Sequence, residues 1–186
     1  GSKALGELGL ASPAALARLR RMQPAPTDYA RDGLVHELFE AQVDATPSRV
    51  ATADGATSWT YVELEERANQ YAQWLRERGV MRGQLVGISV DRGVEMLAAL
   101  LGALKSGAGY VPLDPAFPAE RLAFMATDSN LAVVITERAH AARFAKPRER
   151  LLLIDEDRVQ LDAAPRGRLP RDRRAATPMD DAFVVY

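Results

Sequence analysis

Two neighbouring stretches constrain the fold most: Leu85–Val90, a nearly continuous apolar run of strand length, and Val94–Leu104, apolar around most of a helical circumference. A strand without polar alternation and a helix without a polar face both predict burial on two sides. The pattern then repeats. Gly109–Leu113 reads as a short strand, Pro118 opens a helix carrying Leu122 and Met125, and Leu131–Ile135 reads as another strand. Short apolar strands alternating with helices of ten or more residues predict right-handed crossovers and an α/β fold, a mostly parallel sheet with helices on both faces. Leu151–Ile154 and Phe183–Tyr186 are expected to add strands, and the charged connection Asp155–Asp181 between them shows no periodicity.

The segment before this pattern has a different character. Residues 3–33 are rich in Ala, Arg and Pro, with one short helix predicted after Ser12 as cap and Pro13 at its first position, stopped by Pro24 and Pro26. Leu34 opens a helical pattern of Val35, Leu38, Phe39 and Val43 that Pro47 interrupts. Val50–Ala53 and Ser58–Tyr61 flank Asp54 and Gly55 as a hairpin. Thr60 and Glu63 then have the spacing of a capping box for a helix with Leu64, Ala68, Tyr71 and Leu75 as its buried stripe and Gly79 as terminator.

Composition removes several function classes. The 24 basic and 25 acidic residues give a net charge of −1, which offers nucleic acid no global electrostatic footprint. With no cysteine there is no disulfide framework, zinc-thiolate site or thiol nucleophile, and a reducing, cytoplasmic setting is expected. The apolar run Met96–Leu104 stops at Lys105, short of the roughly 20 residues of a membrane helix, so no membrane partner is expected.

Individual residues point away from catalysis. Ser106–Tyr110, SGAGY, superficially resembles a glycine-rich phosphate loop, but its glycines follow a helix and enter a strand, with no Gly-Lys-Ser/Thr. Gly107 is better read as a helix terminator and Gly109 as a site of close packing. His36 and His140 lack motif-spaced partners for a metal. Glu65 with Glu66, Asp155–Asp157, and Asp180 with Asp181 match no calcium loop and read as solvated faces and turns. No serine lies in a Gly-x-Ser-x-Gly elbow. The basic run Arg166–Arg174 lacks interleaved aromatics and reads as a solvated loop. Trp59, Tyr71 and Trp74 read as core packing.

Several stretches together carry a family resemblance. LVHELFEAQVDATPSRV (Leu34–Val50), WTYVEL (Trp59–Leu64) and LKSGAGYVPLDPAFPAERL (Leu104–Leu122) resemble the opening helix and first two core motifs of amino-acid adenylation domains in nonribosomal peptide synthetases, of the adenylate-forming superfamily. RANQYAQWLRERGV and VGISVDRGVEMLAALLGALK follow the helix, strand and helix expected between them, with Gly93 where a small polar residue is usual. The resemblance implies two regions: 1–33, a linker from an upstream condensation domain, and 34–186, the N-terminal portion of an adenylation core ending before the phosphate-binding loop. It also implies that the parent uses ATP and magnesium to form an aminoacyl adenylate and then loads the acyl group onto the phosphopantetheine thiol of a carrier protein. The pocket, ribose-binding aspartate, metal-binding glutamate and mobile lysine of that family lie beyond this stretch. No catalytic, cofactor-binding or metal residue is therefore carried over, and the fragment alone is expected to be inactive and to bind no cofactor tightly. Its expected partners are the remainder of the adenylation domain, the condensation domain and the carrier protein. An acyl- or aryl-CoA ligase fragment and a noncatalytic interdomain scaffold are the alternative readings.

Overall fold

A computed structural model describes residues 12–24, 32–55, 57–144 and 146–186. The chain divides into two units, 1–31 and 32–186. In the first, helix α1 (Pro13–Met22) starts as its sequence requires: the Ser12 hydroxyl accepts from the Ala15 amide, and Pro13, whose missing N–H costs nothing there, takes the first turn. None of its side chains is buried.

The second unit opens with α2 (Val35–Ala45), which stops at Thr46 before Pro47. A hairpin of β1 (Val50–Asp54) and β2 (Thr57–Thr60) follows, turning at Gly55 with positive φ. The capping box at the head of α3 (Tyr61–Glu77) is complete: Glu63 N donates to Thr60 Oγ1, and Thr60 N donates to Glu63 Oε2 at 2.8 Å. Strands β3 (Leu85–Ser89), β4 (Gly109–Pro112), β5 (Val133–Thr136) and β6 (Leu151–Leu153) form one parallel sheet in the order β4-β3-β5-β6. Between them lie α4 (Val94–Ser106), α5 (Ala119–Asp128) and the short α6 (Arg138–Ala141), and α7 (Arg158–Ala163) follows the last strand.

The sheet separates two apolar cores because successive strand side chains point to opposite faces. Val86, Ile88, Ile135 and Leu152 meet Tyr71, Trp74, Leu75 and Ala99 from α3 and α4. Val134, Leu151 and Leu153 meet Leu122, Met125 and Phe144 on the other side. Each fully buried Leu, Ile or Val contributes about 1.5–3 kcal/mol. Helices α3 and α4 approach closely because small residues line the crossing: a Cβ on Gly102 would overlap Tyr71 Cβ.

Three expectations need correction. Helix α4 is buried on one side rather than two: Ala98, Ala99 and Ala103 are buried, while Leu97, Leu100, Leu101 and Leu104 line an open groove of about 330 Å³ with Phe39 and Tyr110. The connection after β6 contains α7, anchored by the fully buried Leu161. Phe183–Tyr186 is not a strand, since only Phe183 bridges Tyr110, through Tyr110 N to Ala182 O and Val184 N to Tyr110 O. The next rung toward this segment needs an amide on Pro112, and proline has none.

Candidate functional site

In an open parallel sheet, ligands gather beyond the carboxyl ends of the strands, next to the place where strand order reverses. Here β3 leads to β4 on one side, and the chain then returns to place β5 on the other. A groove of about 640 Å³ at that end opens over the ends of β3 and β4. Its apolar floor is Ile88, Val90, Met96 and Leu113, and its polar rim is Asp91, Arg92 and Asp114. Pro112 and Pro115 fix the turn after β4, while Asp114 Oδ1 accepts from the Ala116 amide at 2.9 Å. The Pro115 carbonyl also accepts from the Arg143 guanidinium. These residues offer apolar contact, carboxylate acceptors and one guanidinium donor.

The start of α4 faces a carboxylate. A Cβ on Gly93 would lie 2.9 Å from Asp54 Oδ2, which places negative charge at the positive end of the helix and disfavours a phosphate there. The same proximity gives the residue at position 93 its setting: a short hydroxyl side chain would find an acceptor in Asp54.

The SGAGY stretch does not form a phosphate cradle, because its amides are already used. Gly107 N donates to Leu104 O, Ala108 N to Ala103 O, Gly109 N to Gln84 O and Tyr110 N to Ala182 O. Gly107 ends α4 in the left-handed region at φ 98°, and a Cβ on Gly109 would sit 2.5 Å from Asp181 O. Among the described residues no group of three or more His, Asp or Glu is arranged to hold a metal ion.

The other residues singled out from sequence fall in separate places. His36 lies beside Glu40, Lys105 and Arg171 in a small cavity, and its pKa is lowered, chiefly by burial. His140 has a buried Nδ1 without a hydrogen-bond partner. Trp74 is buried with the Arg78 guanidinium 4.4 Å from its ring centre, and Tyr71 is fully enclosed.

The acidic and basic clusters are not simply solvated. Glu65 is buried and takes Lys105 at 3.2 Å and Arg168 at 2.8 Å; Asp157 is buried and accepts from the Leu153 amide at 2.9 Å. Sequence reading passed over Glu95, whose carboxylate accepts from Tyr71 Oη at 2.7 Å and from both Arg67 Nε and Nη2. Burial and this carboxylate push the Tyr71 hydroxyl well above its usual range. An Arg at a central helical position, on the same side as the apolar stripe, was the available signal.

The AMP-binding enzyme family profile matches residues 39–186. The chain belongs to that family of AMP-binding enzymes. It is 37% identical to gramicidin S synthase 2 of Brevibacillus brevis over 158 residues, which cover 85% of this chain and 3% of that protein. Similarity to tyrocidine synthase 3 of Brevibacillus parabrevis runs at 37% identity over 184 residues, 98% of this chain and 3% of that one. The crystal structure of the nonribosomal peptide synthetase FmoA3 in its AMPPNP-bound form superposes with a TM-score of 0.78 at 30% identity, over 94% of this chain and 18% of that one. The resemblance to the N-terminal portion of a nonribosomal peptide synthetase adenylation domain, and the parallel α/β fold it implied, are thereby upheld. The chain spans only 3% of the length of these two curated relatives.

Proposed function

We propose that residues 34–186 provide the first strands and helices of the adenylation core in a nonribosomal peptide synthetase. In this reading the whole protein uses ATP and magnesium to convert an amino acid to its aminoacyl adenylate, releasing pyrophosphate, and passes the acyl group to a carrier-protein phosphopantetheine thiol. Residues 1–33 serve as the linker from a preceding condensation domain. The observation that carries the reading is the family match over residues 39–186, seconded by alignment with a tyrocidine synthase over nearly the whole chain.

The contribution of this stretch is architectural. Gly107, Gly109 and Pro112 set the path of β4 and of the segment beside it, while the chemistry belongs to groups elsewhere in the parent. The 186-residue chain alone is expected to give no amino-acid-dependent ATP–pyrophosphate exchange, and addition of a polypeptide carrying the downstream family motifs is expected to produce it. Exchange by the chain alone would overturn the proposed inactivity. Silence in the mixture, with both polypeptides folded, would favour a noncatalytic scaffold.

A further inference from the structure

The charged segment after α7 is docked along its length, yet none of the residues from Asp162 to Tyr186 is buried. What holds it up to Asp180 is chiefly polar, whereas beyond that point Phe183 stacks on Tyr110 with ring centres 5.8 Å apart and Val184 packs against the second core. Asn69 Nδ2 donates to Arg166 O at 2.7 Å, and Arg166 pairs with Glu66 at 3.0 Å. Arg168 forks between Asp44 at 2.7 Å and Glu65 at 2.8 Å, and also donates to Glu40 O. Arg171 pairs with Glu37, and Asp172 with Arg76 at 3.3 Å. Asp180 pairs with Arg82 at 2.7 Å. The path ends where Ala182 O and Val184 N clasp the two outward backbone groups of Tyr110 on the edge of β4.

The partners come from α2, α3 and the turn before β3, and they are opposite in sign to the segment, acidic against Arg166, Arg168 and Arg171 and basic against Asp172 and Asp180, so the pairs favour one register. Apart from the inner ends at Glu65 and Arg76, these pairs are solvent-accessible, where ionic attraction is modest and screened by salt. The apolar cores on the two sheet faces depend on burial and are not weakened in this way.

We propose that residues 164–182 form a releasable ionic strap, which covers the outer edge of β4 while its charge pairs hold and uncovers it when they are screened, with the α/β core still folded. Release exposes the Tyr110 amide and carbonyl as an open strand edge.

Hydrogen–deuterium exchange on the 186-residue chain tests this at about 0.1 M and about 1 M sodium chloride, where the Debye length falls from about 10 Å to about 3 Å. The amides of Tyr110 and Val184 are expected to exchange at least about fivefold faster at the higher salt, while those of Val134 and Ile135 in β5 keep their rate. Arg168→Met should reproduce the acceleration at low salt and remove most of the salt response. Should Arg168→Met lose protection in β5, Arg82→Met, at the exposed far end, replaces it. Unchanged exchange of Tyr110 and Val184 at high salt in the unsubstituted chain overturns the proposal, as does an acceleration that β5 shares.

Discussion

Gly107 lies directly beneath the carbonyl of Arg174: a Cβ built on the glycine would overlap that oxygen, and its φ of 98° is left-handed. The end of α4 and the charged segment are thus fitted to each other at a residue that tolerates no side chain. Gly107→Ala is expected to cost at least about 2 kcal/mol, of which about 1–2 kcal/mol comes from a β-carbon in the left-handed region. For a folded unit of this size about 1 kcal/mol moves Tm by roughly 2–4 °C, so thermal melting should fall by at least about 4 °C. An unchanged Tm would mean that the segment does not seat on Gly107.

A second prediction concerns the carboxylate that joins α3 to α4. Glu95 receives Tyr71 Oη at 2.7 Å and a two-pronged Arg67, which also pairs with Asp162 at 2.6 Å. Tyr71→Phe removes one hydrogen bond and leaves Glu95 with its guanidinium, a loss of about 1 kcal/mol. Arg67→Met leaves the carboxylate beside a buried phenol with only the more distant, exposed Arg158 guanidinium at 3.9 Å, and should cost about 3 kcal/mol. Adding Glu95→Gln to Arg67→Met should recover part of the loss. Urea unfolding measures all three, and equal costs for Tyr71→Phe and Arg67→Met would argue against a shared network.

The ion pairs of the charged segment also set its response to acid. The Arg82 guanidinium, together with the Thr177 amide and hydroxyl, holds the Asp180 carboxyl down to about 2. Asp44 and Asp172 are lowered too, the first by Arg168 and the second by the Arg174 amide and its neighbouring guanidinium groups. An unfolded aspartate titrates near about 3.9, so each depressed carboxyl adds stability that is complete above that value and lost as pH falls through the folded pKa. The segment should loosen between about pH 4 and pH 2. Thr177 N donates to Asp180 Oδ2 at 2.7 Å, so its amide proton in an NMR titration reports the event. Asp180→Asn should abolish that transition; a Thr177 midpoint near about 4 would show that Arg82 does not hold the carboxylate.

The alternation of β3, α4, β4, α5 and β5 was legible because each element carries its own period and punctuation: the Thr60–Glu63 box, the left-handed Gly107 and Pro118 before α5. The path of the charged segment was not. Arg168 and Asp44 are 124 residues apart, and nothing local distinguishes an arginine destined for a distant aspartate from one facing water. Helix α7 was hidden because six residues give barely two turns of pattern and one buried leucine. Pro112 carried readable information about strand pairing, since the missing amide faces outward once Val111 and its alternates pair with β3. The carboxyl-end groove followed from topology once strand order was known, but its lining joins residues from two separate loops.

The opposite edge of the sheet yields the last prediction. On β6 the outward amide of Leu153 donates to Asp157 Oδ2 at 2.9 Å, the Leu151 carbonyl accepts from Arg148 Nη1 at 2.9 Å, and Arg148 pairs with Asp157. The carboxylate bound to it raises the Arg148 pKa. This clamp occupies the groups that another strand would use, and it does so with charge, which itself deters strand addition. Asp157→Ala leaves the amide of the buried Leu153 without a partner, at a cost of about 1–3 kcal/mol. It also frees Arg148 and opens the edge. The variant should unfold at lower urea and show a greater scattering mass than the unsubstituted chain at equal concentration. Asp157→Asn keeps an acceptor for Leu153 and should restore the lower mass with only part of the stability. Equal mass for Asp157→Ala and the unsubstituted chain at every concentration would show that the clamp does not guard the edge, leaving its role as stabilisation of the turn after β6.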